Sequence, residues 1–112
     1  MPDAQDRRRH KRIAVAWTGE VLIEANQFSS VEIVNVSMSG LGVMSLTPMQ
    51  RGTHYLFRFP GWTELPIAGI VRWTDEGEVK NYAGIEFVAP TLKQLAALRE
   101  LTSRYDKEDW GG

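Results

Sequence analysis

Two segments of this chain have residue types and spacings that suit chemistry. Arg7, Arg8, Arg9, Lys11 and Arg12 place five of the thirteen basic residues within six positions. A guanidinium is a planar, permanently charged fork of donors, suited to phosphate oxygens, to the acceptor edge of a purine and to stacking on a base. Taken alone, such a run usually reads as a solvated basic tail. The second segment is Asn35-Val36-Ser37-Met38-Ser39-Gly40, which taken alone reads as a turn ending a strand. Ser37 and Ser39 lack the Gly-x-Ser-x-Gly elbow of a nucleophile, and neither histidine, His10 or His54, has a sequence reason to lie near them. The two histidines are far apart and have no ligand-spaced partner, so no metal site is expected. Asp75, Glu76 and Glu78 cluster around Gly77 and read as a solvated hairpin rather than an acid–base pair. These residues point to binding; no enzyme activity, cofactor or metal is expected.

The rest of the chain must position them. Its 112 residues, 43% hydrophobic and 24% charged, suit one globular domain over 1–112. With no cysteine, disulfide frameworks and thiolate zinc sites are excluded, and a reducing compartment such as the cytoplasm fits. The start, MPDAQDRRRHKR, is too polar for a signal peptide, and no apolar run approaches the ~20 residues of a membrane helix, so no membrane insertion is expected. A formal net charge of -1 argues against a cationic nucleic-acid binder, although the charge is unevenly distributed.

Residues 1–12 carry too little apolar surface to offset the entropy of ordering, and are expected to form a flexible basic arm that a ligand would order. From Ile13 the pattern alternates. Val15, Trp17, Val21 and Ile23 mark a first strand with a bulge or bend at Gly19; Val31, Ile33 and Asn35 mark a second; Leu41, Val43 and Leu46 mark a third. Tyr55, Phe57 and Phe59 precede a Pro60-Gly61 turn, Ile67 to Trp73 leads into a turn at Asp75–Gly77, and Tyr82 to Val88 closes the set. Six short strands with short connections predict an antiparallel β-barrel over 13–88, because closure removes exposed edges. Leu92, Leu95, Leu98 and Leu101 recur at helical spacing, and Thr91 with Gln94 forms a capping box, predicting a C-terminal helix over 91–105 that frays near Arg104 to Asp106.

Arg-x-x-x-Arg (Arg8, Arg12), some twenty residues of strand, and Asn-x-Ser-x-x-Gly (Asn35, Ser37, Gly40) occur in one order in this six-strand setting. The combination resembles the PilZ family of bacterial cyclic-di-GMP receptors, and the likeness extends through Trp73 and Gly84-Ile85-Glu86-Phe87 to the terminal helix. It implies a mainly β protein that binds cyclic di-GMP, a second messenger, orders its arm on binding, and signals to a downstream protein by contact. The implied ligand-binding residues are Arg8, Arg9, Arg12, Asn35, Ser37 and Gly40. In this reading the Asn35 amide oxygen accepts from a guanine N–H, and Ser37 donates to a phosphate or base acceptor. Gly40 would take φ > 0 and let the backbone approach the ligand. Trp73 resembles an aromatic that some members place beside a guanine, with core packing as an equal rival. Arg58 and Arg72 face outward and are read as solvated, within reach of a phosphate. Two other classes stand as alternatives: an interaction module that binds no nucleotide, and a small barrel that binds single-stranded nucleic acid.

Overall fold

The computed structural model describes residues 12–24, 27–62 and 64–111, with side chains for 12–22, 27–62 and 64–104. Six strands, β1 (Ile13–Glu24), β2 (Gln27–Val36), β3 (Gly40–Ser45), β4 (His54–Arg58), β5 (Ile67–Glu76) and β6 (Asn81–Phe87), precede one helix, α1 (Leu92–Gly111). All neighbouring pairs are antiparallel, and the strands close into a barrel in the order β1-β2-β3-β6-β5-β4. The expected barrel and terminal helix are therefore both present.

Side chains alternate across a strand, so one residue in two points inward. The interior is filled by Ile33, Leu41, Phe57, Ile67, Val71 and Ile85, each buried, with Leu98 of α1 joining the same cluster. The aromatics of the β4 end continue the packing: Phe59 meets Trp17 at 6.2 Å and Trp62 at 5.0 Å between ring centroids. The capping box forms as expected, with Gln94 N–H donating to Thr91 Oγ1 (3.0 Å) and Thr91 N–H to Gln94 Oε1 (2.9 Å). Gln94 Nε2 also donates to the carbonyl of Leu65 (3.0 Å), tying the start of the helix to the loop before β5.

Several boundaries differ from the sequence reading. Leu46 lies beyond β3 and is 75% exposed, because the chain leaves β2 there and turns towards Pro48. Asp75 and Glu76 remain in β5, and the turn is closed by Gly77 N–H on the carbonyl of Lys80. Gly19 is not the bulge. The register instead shifts between Ala14 and Trp17, and Gly19 is where a Cβ would overlap Ile33 Cδ1 of the core. The helix continues through Arg104–Asp106 to Gly111. The arm expected at 1–12 lies outside the described residues except for Arg12, which already has a partner on the barrel.

Candidate ligand-binding face

Ile13 pairs with Val36 and both are buried, so the next pair, Ala14 with Asn35, faces outward. Arg12 precedes Ala14 by two and shares that outer face. Its Nη1 donates to Asn35 Oδ1 at 2.6 Å. Two residues singled out 23 positions apart in sequence thus meet directly. The first strand pair of the barrel carries Arg12 to Asn35.

The Ser37–Gly40 turn is internally bonded. Ser37 N–H donates to the Gly40 carbonyl (2.9 Å), while Ser37 Oγ accepts from the backbone N–H of Ser39 (3.1 Å) and of Gly40 (3.2 Å) and lies 3.1 Å from Ser39 Oγ. Ser37 is fully buried, so its hydroxyl fixes the turn and its surroundings leave it no outward face. Gly40 does not have the positive φ expected of it; among the described glycines only Gly52 (φ 87) and Gly61 (φ 77) do. Its missing side chain serves a different contact, because a Cβ there would overlap the carbonyl oxygen of Ile85 on β6. Gly40 therefore lets β3 pack against β6 at the start of their ladder, where it pairs with Glu86.

From Asn35 the register runs straight across the barrel. Asn35 pairs with Gly42, Gly42 with Gly84, and Gly84 with Trp73. Directly paired residues point to the same side of a sheet, and the two ends of this row lean inward over the glycines. A Cβ on Gly42 would lie 2.5 Å from Asn35 Nδ2, and one on Gly84 would overlap Trp73 Nε1 and Cε2. Trp73 is 50% exposed, so it belongs to this surface and not to the core. A bulge between Val71 and Trp73 turns both Arg72 and Trp73 outward.

The sequence reading missed Gly42 and Gly84. The available signal was a lone glycine inside a strand, in Leu41-Gly42-Val43 and in Ala83-Gly84-Ile85, which marks a close approach.

The two outward arginines are each held by a carboxylate. Arg58 reaches Glu20 Oε1 through Nη2 (2.7 Å) and Nε (3.1 Å) and lies 3.7 Å over the Phe28 ring. Arg72 pairs with Glu86, two residues beyond Gly84 on β6. Arg8 and Arg9 lie outside the described residues. No group among the described residues could hold a metal ion, and no helix among them is long and apolar enough to cross a membrane.

The described residues thus form a closed six-stranded antiparallel barrel followed by one helix, with an arginine–asparagine contact beside a bonded Ser–Gly turn. The PilZ domain model matches residues 6–104, and the chain belongs to that family. Solved structures agree on the fold. The PilZ domain with c-di-GMP of YcgR from Escherichia coli has a TM-score of 0.75 at 14% identity, over 92% of this chain and 94% of that one. The K. pneumonia MrkH–c-di-GMP complex has a TM-score of 0.74 at 14% identity, over 92% of this chain and 54% of that one. The inhibitor of motility of Bacillus subtilis (MotI/DgrA) has a TM-score of 0.73 at 16% identity, over 91% and 52% respectively. This chain spans about half the length of the longer YcgR chain, 48%, and of MrkH and MotI. No curated protein matches the sequence.

Proposed function

We propose that this chain is a cyclic-di-GMP receptor, not an enzyme, acting in the cytoplasm, where ligand binding changes the surface offered to a downstream protein. The observation that carries the reading is the meeting of Arg12, Asn35 and Trp73 on one outer face, through the Arg12–Asn35 bond and a single row of paired residues. Cyclic di-GMP offers two phosphates and two guanines. Guanidinium groups complement both: a fork for phosphate oxygens or for guanine O6 and N7, and a plane for stacking. In this reading Arg8 and Arg9 join Arg12 around the ligand, Ser37 and Gly40 hold the turn that shapes one side of it, and Trp73 bounds the other. Solved relatives described as c-di-GMP complexes support the ligand assignment. The arm then becomes part of a binding surface, and a protein partner reads that change.

Calorimetric titration of the full chain with cyclic di-GMP, beside an unrelated single-stranded oligonucleotide at two salt concentrations, tests this. Saturable binding of the dinucleotide is expected, with weak oligonucleotide binding that falls steeply with salt. Absence of saturable dinucleotide binding would overturn the reading, and salt-sensitive oligonucleotide binding in its place would favour the nucleic-acid alternative. Double replacement of Arg8 and Arg9 by Ala is expected to weaken dinucleotide binding while leaving the far-UV circular dichroism of the barrel intact.

A further inference from the structure

The Asn35 amide oxygen is occupied by Arg12, which has only donors to give. The Asn35 amide lies over Gly42, in the space a side chain there would have filled, with Nδ2 2.5 Å and Oδ1 2.8 Å from the position of a Cβ; Nδ2 is its donor end. On the neighbouring strand Trp73 does the same: its Nε1 stands where a Gly84 Cβ would be. Gly42 and Gly84 are directly paired. Cβ positions of directly opposite residues are ~4.5–5.5 Å apart, and each nitrogen lies within 2.5 Å of one of these two positions, so the two N–H donors occupy neighbouring places on one face. Neither has a hydrogen-bond partner among the described residues. One oxygen ~2.9 Å from each nitrogen can bridge donors up to ~5.8 Å apart, and the Arg12 guanidinium beside Asn35 adds positive charge.

We infer that Asn35 Nδ2–H and Trp73 Nε1–H, laid over Gly42 and Gly84, form a two-donor site for one ligand oxygen, so that Trp73 binds through its indole N–H and not through its ring face alone. The proposal rests on the cyclic-dinucleotide reading and refines it. The oxygen is a guanine O6 or a phosphate oxygen, which share the acceptor chemistry. Gly42 and Gly84 act as positioning residues, because any side chain at either would lift the donor above it.

Trp73→Phe keeps an aromatic ring and removes the donor. Its affinity for cyclic di-GMP is expected to fall about three- to tenfold, the range of one lost hydrogen bond, and to account for most of the loss seen in Trp73→Ala. In proton–nitrogen correlation spectra of the wild type, the indole resonance missing from Trp73→Phe should move downfield at ligand saturation. Cyclic di-AMP keeps the phosphates and lacks O6: movement with both nucleotides assigns the oxygen to phosphate, and movement with cyclic di-GMP alone assigns it to guanine. Gly84→Ala should weaken binding in the wild type and add nothing in a Trp73→Ala background. Wild-type affinity in Trp73→Phe, together with a loss in Trp73→Ala, would overturn the donor site and leave only ring stacking. Failure of the wild type to bind any cyclic dinucleotide would instead overturn the reading on which the site rests.

Discussion

Inside the barrel, β2, β3, β6 and β5 present Ile33, Leu41, Ile85 and Val71; on the outside, one or two residues away in sequence, the same four strands present Asn35, Gly42, Gly84 and Trp73. The inner set consists of branched aliphatics fully removed from water, where volume is what matters and almost any apolar residue of similar size would serve. The outer set has two side chains and two absences, and volume there matters in the opposite sense. A methyl group on Gly42 or Gly84 would fill the space in which Asn35 and Trp73 lie. One face of the sheet has been selected for filling and the other for leaving room. Stability and recognition are thus separable on the same strands, and substitutions should sort by face.

The largest effect expected is on the inner face. Phe57 is fully buried and edge-on to Tyr55, with ring centroids 6.4 Å apart. Phe57→Ala should cost about 3–5 kcal/mol of stability, read by chemical denaturation, while the molecules that remain folded bind ligand with unaltered affinity. A large affinity loss in the folded fraction would show that the two faces are coupled after all.

Gly40→Ala falls between the classes. Its Cβ would meet backbone, the Ile85 carbonyl, which cannot swing aside as a side chain would. About 1–3 kcal/mol of destabilisation is expected, together with weakened ligand binding as the Ser37–Gly40 turn is pushed off β6. A variant with wild-type stability would mean that the β3–β6 ladder yields more easily than its pairing implies.

Arg12→Ala is the cleanest outer-face test. The side chain stands ahead of β1 and bonds to Asn35, with no place in the barrel interior. Its loss should weaken cyclic-di-GMP binding by roughly five- to 150-fold, corresponding to ~1–3 kcal/mol for a good Arg contact, with a denaturation midpoint close to wild type. Unchanged affinity would remove Arg12 from the site.

Much of this division is legible in the sequence, and the illegible part has a physical reason. Alternation around Ile33, Phe57 and Ile85 follows from one-sided burial, so the strands and core could be read directly. The capping box could be read because it is local, two residues three positions apart that bond to each other. The row from Asn35 to Trp73 could not, because it depends on the strand order β2-β3-β6-β5 and on bulges after Ile33 and Val71 that decide which residues face each other. Gly40 shows the same limit in miniature. A glycine needed in a turn and a glycine needed against a neighbouring strand look alike until the neighbour is known. Of the residues named from the resemblance, Arg12, Asn35 and Trp73 gather on one face, and the buried Ser37 reads as support for the turn.

The smallest effect expected concerns Glu86. It follows Gly84 by two on β6, pairs with Gly40 across the β3–β6 ladder, and holds the Arg72 guanidinium in an exposed ion pair, with side-chain exposures of 60% for Arg72 and 51% for Glu86. Both groups therefore border the outer row, and the carboxylate does two unfavourable things for an anionic ligand there: it repels phosphate and occupies an arginine that could otherwise meet it. An exposed pair of this kind adds little to stability, so its removal should leave the fold unharmed. Glu86→Gln keeps the shape, removes the negative charge and releases Arg72. Binding of cyclic di-GMP should tighten by roughly two- to fivefold at low salt, in keeping with the ~0.2–1 kcal/mol range of such exposed charges, and the gain should shrink as salt screens it. Calorimetry at two ionic strengths measures both. A salt-independent gain would point to a change of shape, and no gain would place the ligand's phosphates away from β6, on the Arg12 side of the row.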